Sequence, residues 1–154
     1  MQLLSEIKIF PARRTAIAYP SSMLRPCFLV IDKEYSGSIS TRKLVIETAK
    51  FNVLTAYSGA EAIETLVLFP AVNGIVLDAG ITDIPAAELC KRLKEMEPGV
   101  PIVLIGRPDK DRAPQADHYV ESFDPAAVLE LLKSLEPQKT AAIAKHDASL
   151  QDNN

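Results

Sequence analysis

The apolar run Cys27-Phe28-Leu29-Val30-Ile31 stops abruptly at the charged triplet Asp32-Lys33-Glu34. A run with no polar alternation reads as a strand covered on both faces, which is the character of a buried parallel strand. The pattern returns at Gly74-Ile75-Val76-Leu77, which ends at Asp78, and at Pro101 to Ile105. Helical spacing fills the intervals. Ser38 to Lys50 places Ile39, Ile46 and Ala49 on one broad face, and Ala60 to Phe69 does the same through Ala62, Ile63, Leu66 and Val67 before Pro70 stops it. Ala86 to Met96 is a further helix, ended by Pro98-Gly99. Phe51 to Ala56 reads as a more exposed strand and His118-Tyr119-Val120 as a short one. Asp124-Pro125 then supplies an N-cap and a first-turn proline for a last helix through Leu135.

Strands alternating with helices predict an α/β chain with a doubly wound, five-stranded parallel sheet and helices on both faces. Right-handed crossovers bring the strand C-termini to one edge, where ligands of open sheets bind beside the switch in strand order. Asp32 and Asp78 are both expected at that edge.

With 154 residues, 47% hydrophobic and 24% charged, the chain is long enough for one domain that needs no metal or disulfide to stabilise its core. No apolar run approaches the roughly 20 residues of a membrane span. Glu6, Lys8, Arg13 and Arg14 break up the apolar stretch a secretory signal requires, so a cytoplasmic location without membrane contact is expected. Cys27 and Cys90 lack CxxC spacing and read as two buried free thiols, and His118 and His146 have no second ligand nearby by spacing. Residues 27–136 hold 11 basic and 17 acidic side chains, which argues against binding nucleic acid through a basic face.

Three parts are expected: an N-terminal extension over 1–25, a domain over 26–136, and a tail over 137–154. That tail is Ala, Lys, Asp, Gln and Asn with few large apolar groups. Its composition predicts disorder, since little burial is available to offset the entropy of ordering.

The segment Phe28-Leu29-Val30-Ile31-Asp32-Lys33-Glu34 resembles the opening strand of the receiver (REC) domain of two-component response regulators, in which an apolar run meets two acids. Ala56-Tyr57-Ser58-Gly59-Ala60-Glu61-Ala62-Ile63 resembles that family's next strand-to-helix segment, and Ile75-Val76-Leu77-Asp78 the strand that carries its phospho-accepting aspartate. Pro101 to Ile105, Ala116 to Val120 and Phe123-Asp124-Pro125 complete the series in order. The resemblance covers residues 26 to 136 and implies the flavodoxin-like architecture.

It also implies roles. Asp78 matches the phospho-acceptor and Asp32 the first acid of the pair that holds Mg²⁺, the cation a carboxylate needs before it can attack phosphorus. Mg²⁺ at Asp32 and Asp78 would be bound weakly, because the second acid, a direct metal ligand in the family, is replaced by Lys33. The Ser/Thr position is Gly106, which offers no hydroxyl. The lysine position falls at Ser122, or at Glu121 if the register slips by one. Between Gly106 and Ser122, Pro108 and Pro114 interrupt a stretch with no apolar stripe, so the family's fourth helix should be short or missing. The turn at Thr82-Asp83 lacks the family's Pro-Gly pair.

Lys33 has two readings: an internal cation beside Asp32 and Asp78 in the place of Mg²⁺, or a solvated lysine at a loop start. The resemblance implies a non-enzymatic phosphorelay signalling domain that works through contacts with a protein, a histidine kinase or a downstream effector, with phosphoryl transfer to Asp78 reduced or lost. A working stand-alone receiver with an unusual Mg²⁺ pocket is the alternative. A doubly wound enzyme or nucleotide-binding protein is a third reading, which the lack of GxGxxG and GxxxxGK[ST] disfavours.

Overall fold

Phe28, Leu29, Val30 and Ile31 are all buried because β1 (Cys27–Ile31) has a strand on each side and helices over both faces. The structure is a computed structural model and describes residues 25–33, 40–107 and 109–152. After β1 follow α1 (Thr41–Glu47), β2 (Asn52–Ala56), α2 (Gly59–Leu68), β3 (Gly74–Asp78) and α3 (Ala86–Met96). Then come β4 (Ile102–Ile105), β5 (His118–Val120), α4 (Pro125–Leu135) and α5 (Pro137–Asp152). The strands form one parallel sheet in the order β2-β1-β3-β4-β5.

Strand alternation divides the core in two. Leu29, Ile31, Ile75, Leu77, Ile102 and Leu104 face α2 and α3, where Ala62, Leu66, Leu89 and Leu93 meet them. Phe28, Val30, Val76, Val103 and Ile105 face the other way onto Ile46 of α1 and Val128 and Leu132 of α4. Each fully buried Leu, Ile or Phe contributes roughly 1.5–3 kcal/mol of transfer free energy, so these two layers set the strand register. A slip of one residue would exchange them.

Local sequence fixes the helix starts. Ser58 caps α2 by accepting from Glu61 N at 3.0 Å. Asp83, from the loop after β3, adds a second cap from outside the helix: its two carboxylate oxygens accept from Gly59 N at 2.8 Å and Ala60 N at 3.0 Å. Asp124 caps α4 with Pro125 at its first position, as the sequence predicts.

The connection between β4 and β5 carries no helix among the described residues, in line with the shortened or missing helix read from Pro108 and Pro114. Residue 108 itself lies outside the described set. The tail departs from expectation. Residues expected to be disordered form α5, a helix of 16 residues, because Ala, Lys and Gln are strong helix formers and Ile143 finds a place against the α1–α4 layer. The expected extension lies outside the described residues up to 24. Cys27, in β1, is half-buried and Cys90, in α3, is buried; both are free thiols.

Candidate functional site

The chain leaves β1 for the sheet edge at β2 and returns across it to β3, so the ends of β1 and β3 flank the switch in strand order. Ile31 pairs with Leu77, which sets the next residues, Asp32 and Asp78, side by side. Both carboxylates are nearly inaccessible, at 1% and 6% exposure. Like charges in that position require a compensating cation.

Arg42 supplies it. Its Nη1 donates to Asp32 Oδ1 at 2.8 Å and also to Asp78 Oδ2. The guanidinium is largely buried, with the Phe123 ring 5.4 Å from its central carbon, a contact that adds cation–π attraction. Asp32 is held further by Lys33 N at 2.7 Å and by the Ser40 hydroxyl at 2.7 Å. Ser40 in turn caps α1 by accepting from Lys43 N, which fixes the helix start that aims Arg42. Asp78 Oδ1 accepts from Gly80 N at 2.6 Å.

Lys33 does not take the role of internal cation. It is exposed and forms no ion pair among the described residues. Adjacent side chains leave a strand end in opposite directions, and that of Lys33 runs across Gly80. A Cβ built on Gly80 would stand 3.1 Å from Lys33 Cδ and 2.9 Å from Asp78 Oδ1, so only glycine lets the two pass so closely. Arg42 escaped the sequence reading, although a signal existed. Arg42 and Lys43 occupy the first turn of α1, which contains no acid; cations at the positive end of a helix are unfavourable unless something nearby compensates them.

Gly106 lacks a hydroxyl, and the structure explains why. A Cβ there would come within 2.8 Å of both Ala79 Cβ and Asp111 Oδ2. The loop folds back so that Asp111 Oδ2 accepts from Arg107 N at 2.8 Å and fills the space. Ile105 pairs with Val120 and Gly106 N donates to Val120 O at 2.9 Å. The residue beside Gly106 is therefore Glu121, with Ser122 following, so both residues read for the lysine position stand at this end of β5. Both are exposed and line, with Lys33, Arg42, Asp78 and Lys110, a cleft of about 370 Å³.

No family model matches the sequence and no curated protein matches it. Solved structures do match. The chain aligns with a response regulator receiver domain protein from Clostridium thermocellum at TM-score 0.65 and 19% identity, covering 75% of this chain and 98% of that one. Chemotaxis protein CheY4 of Vibrio cholerae aligns at TM-score 0.61 and 21% identity over 73% and 99% of the two chains. A protein described as adenylate cyclase from Rhodopirellula baltica aligns at 0.64 and 17% over 81% and 97%. The fold is that of a receiver domain.

Receivers bind Mg²⁺ through clustered acids, and the donor set here does not fit that cation. Arg42 Nη1 lies between the two carboxylates that would hold a metal, and Lys33 stands where the second acid would be. Among the described residues no three His, Cys, Asp or Glu side chains come together to hold a metal. No helix among the described residues is long and apolar enough to cross a membrane.

Proposed function

We propose that this chain is a receiver-like, non-enzymatic signalling module of a two-component system, acting through contacts with a protein partner such as a histidine kinase or effector, with phosphoryl transfer to Asp78 reduced or lost. Soluble, cytoplasmic action without nucleic acid fits the acidic balance of residues 27–136. The observation that carries the reading is the bridge from Arg42 to Asp32 and Asp78. A carboxylate whose two oxygens accept from Arg42 and Gly80 N is a poorer nucleophile, and its attack on phosphorus lacks the dication that would neutralise the incoming oxygens. In place of the hydroxyl and the lysine that would then hold the phosphoryl group stand Gly106 and Ser122, or Glu121 in the alternative register.

Acetyl phosphate or phosphoramidate with Mg²⁺, followed by intact mass spectrometry, tests this. The expected result is no stable phosphoryl mass. A near-stoichiometric adduct, abolished by Asp78→Asn, would restore the alternative of a working receiver.

A further inference from the structure

Three consecutive large apolar residues stand uncovered where α2 ends: Val67, Leu68 and Phe69 are 65%, 72% and 50% exposed. A run of that kind on a domain surface marks a place that something else covers. Beside it lies a groove of about 480 Å³, lined by Cys27 of β1, Leu54 of β2, and Leu68, Phe69, Pro70 and Val72 from the end of α2 and its connection to β3. No charged side chain lines it, so its occupant is apolar. Cys27 opens β1 while Asp32 follows its end, which places the groove at the opposite end of the strands from Asp32 and Asp78. β2 is an edge strand, with no further strand beyond it among the described residues.

The walls of the groove also fix where the preceding chain departs. Asn52 N donates to Pro26 O at 2.8 Å, Asn73 N donates to Cys27 O at 2.7 Å, and the Asn73 side chain accepts from Cys27 N at 2.8 Å. Residues 25–27 are thus clamped between the start of β2 and the connection before β3, the same two segments that border the groove. Before Arg25 come 24 residues, which lie outside the described set, and their most apolar stretch is Leu3-Leu4-Ser5-Glu6-Ile7-Lys8-Ile9-Phe10.

We propose that the groove is the docking site of this chain's own N-terminal segment, residues 3–10, through Leu3, Leu4, Ile7, Ile9 and Phe10. The 14 residues from Pro11 to Leu24 give a mean span of about 20 Å for a flexible linker, enough to fold back to a groove that begins at Cys27. Tethering holds the segment at a high effective concentration there, so a modest apolar contact suffices. Charge agrees with this occupant. Arg13 and Arg14 follow the apolar stretch, whereas α2 carries Glu61 and Glu64 and no basic residue, and the exposed Glu64 stands one helical turn before Leu68. The inference is independent of what happens at Asp78.

Cys27 is a probe already in place, since Cys90 is fully buried and Cys27 lines the groove. The test is the rate of maleimide alkylation of Cys27 in the full chain at one pH, read by peptide mass, in wild type, Ile7→Asp/Phe10→Asp, Leu68→Asp and the combination of all three. Leu68 is exposed and the other two positions lie outside the described core, so urea unfolding should show the fold retained. Alkylation is expected to be at least about tenfold faster in Ile7→Asp/Phe10→Asp than in wild type, because uncovering the groove restores access to the thiol. The combination should be no faster than Ile7→Asp/Phe10→Asp alone, as both ends of one contact are then lost. Wild-type protection should not depend on protein concentration. Equal rates in wild type and Ile7→Asp/Phe10→Asp overturn the proposal, and so does a combined effect equal to the product of the separate ones. Protection that grows with concentration, together with a dimer in analytical ultracentrifugation, assigns the groove to a second copy and overturns it as well.

Discussion

Tyr119 satisfies both backbone polar groups of Ala113: its hydroxyl accepts from Ala113 N at 2.9 Å and donates to Ala113 O at 2.8 Å. Ala113 is fully buried, so a phenol does for the β4–β5 connection what a helix would otherwise do for its backbone. Tyr119→Phe should therefore destabilise the fold by about 1–3 kcal/mol, the cost of leaving the buried Ala113 N–H unpaired, while Ala113 O keeps the bond it accepts from Ala116 N at 3.0 Å. Urea unfolding would measure it, and a variant within a few tenths of wild type would show that the loop is held by other means.

Arg42→Ser should destabilise by about 3 kcal/mol, because it leaves two buried carboxylates facing one another without their cation. It should also create a dependence absent from the parent. Millimolar Mg²⁺ is expected to raise the melting temperature of Arg42→Ser by several degrees relative to EDTA, as a ligand stabilises by mass action, and to leave wild type unchanged. Lys33→Ala, at an exposed position, should be neutral in both conditions. Equal Mg²⁺ responses in wild type and Arg42→Ser would refute the bridge as the metal's replacement.

The strands and their order of use were legible because full burial writes an unbroken apolar run, as in Phe28 to Ile31. The proline-broken connection was legible because Pro108 and Pro114 act locally. Arg42 was not, since its role depends on where α1 begins, and Ser40, which sets that start, acts through a contact with Asp32 eight residues earlier in sequence. Lys33 kept two readings for a related reason: proximity in sequence to Asp32 says nothing about which way a side chain leaves the strand, and the exposed position is the solvated one. The helicity of Pro137–Asp152 was missed because composition was judged by burial alone, whereas Ala-rich segments need little burial once their first turn follows another helix.

Restoring a hydroxyl at Gly106 should fail as a repair. Gly106→Thr is expected to cost about 1–3 kcal/mol, the range for overpacking, because Ala79 Cβ is backbone-fixed at 2.8 Å from the new Cβ. Thermal melts would show it. A Gly106→Thr protein as stable as wild type would mean the loop at Asp111 yields freely.

Asp83 links stability to acid. The N–H groups of Gly59 and Ala60 hold its carboxyl below the ordinary value of 3.8, so the folded state favours the ionised form. Its contribution is complete above about pH 3.8 and is lost as pH falls through the lower folded value. Asp83→Ala should cost about 1 kcal/mol at neutral pH, the usual worth of a helix cap, and should flatten the acid limb of the stability profile. Parallel chemical denaturation from pH 7 to 2.5 is the check; profiles that stay a constant distance apart would disprove the linkage.

The cation between Asp32 and Asp78 is bonded to the chain that needs it. Its local concentration is fixed by the helix that bears it, so dilution, chelators and the ion content of the surroundings leave its occupancy unchanged. A site filled in this way keeps no record of its environment.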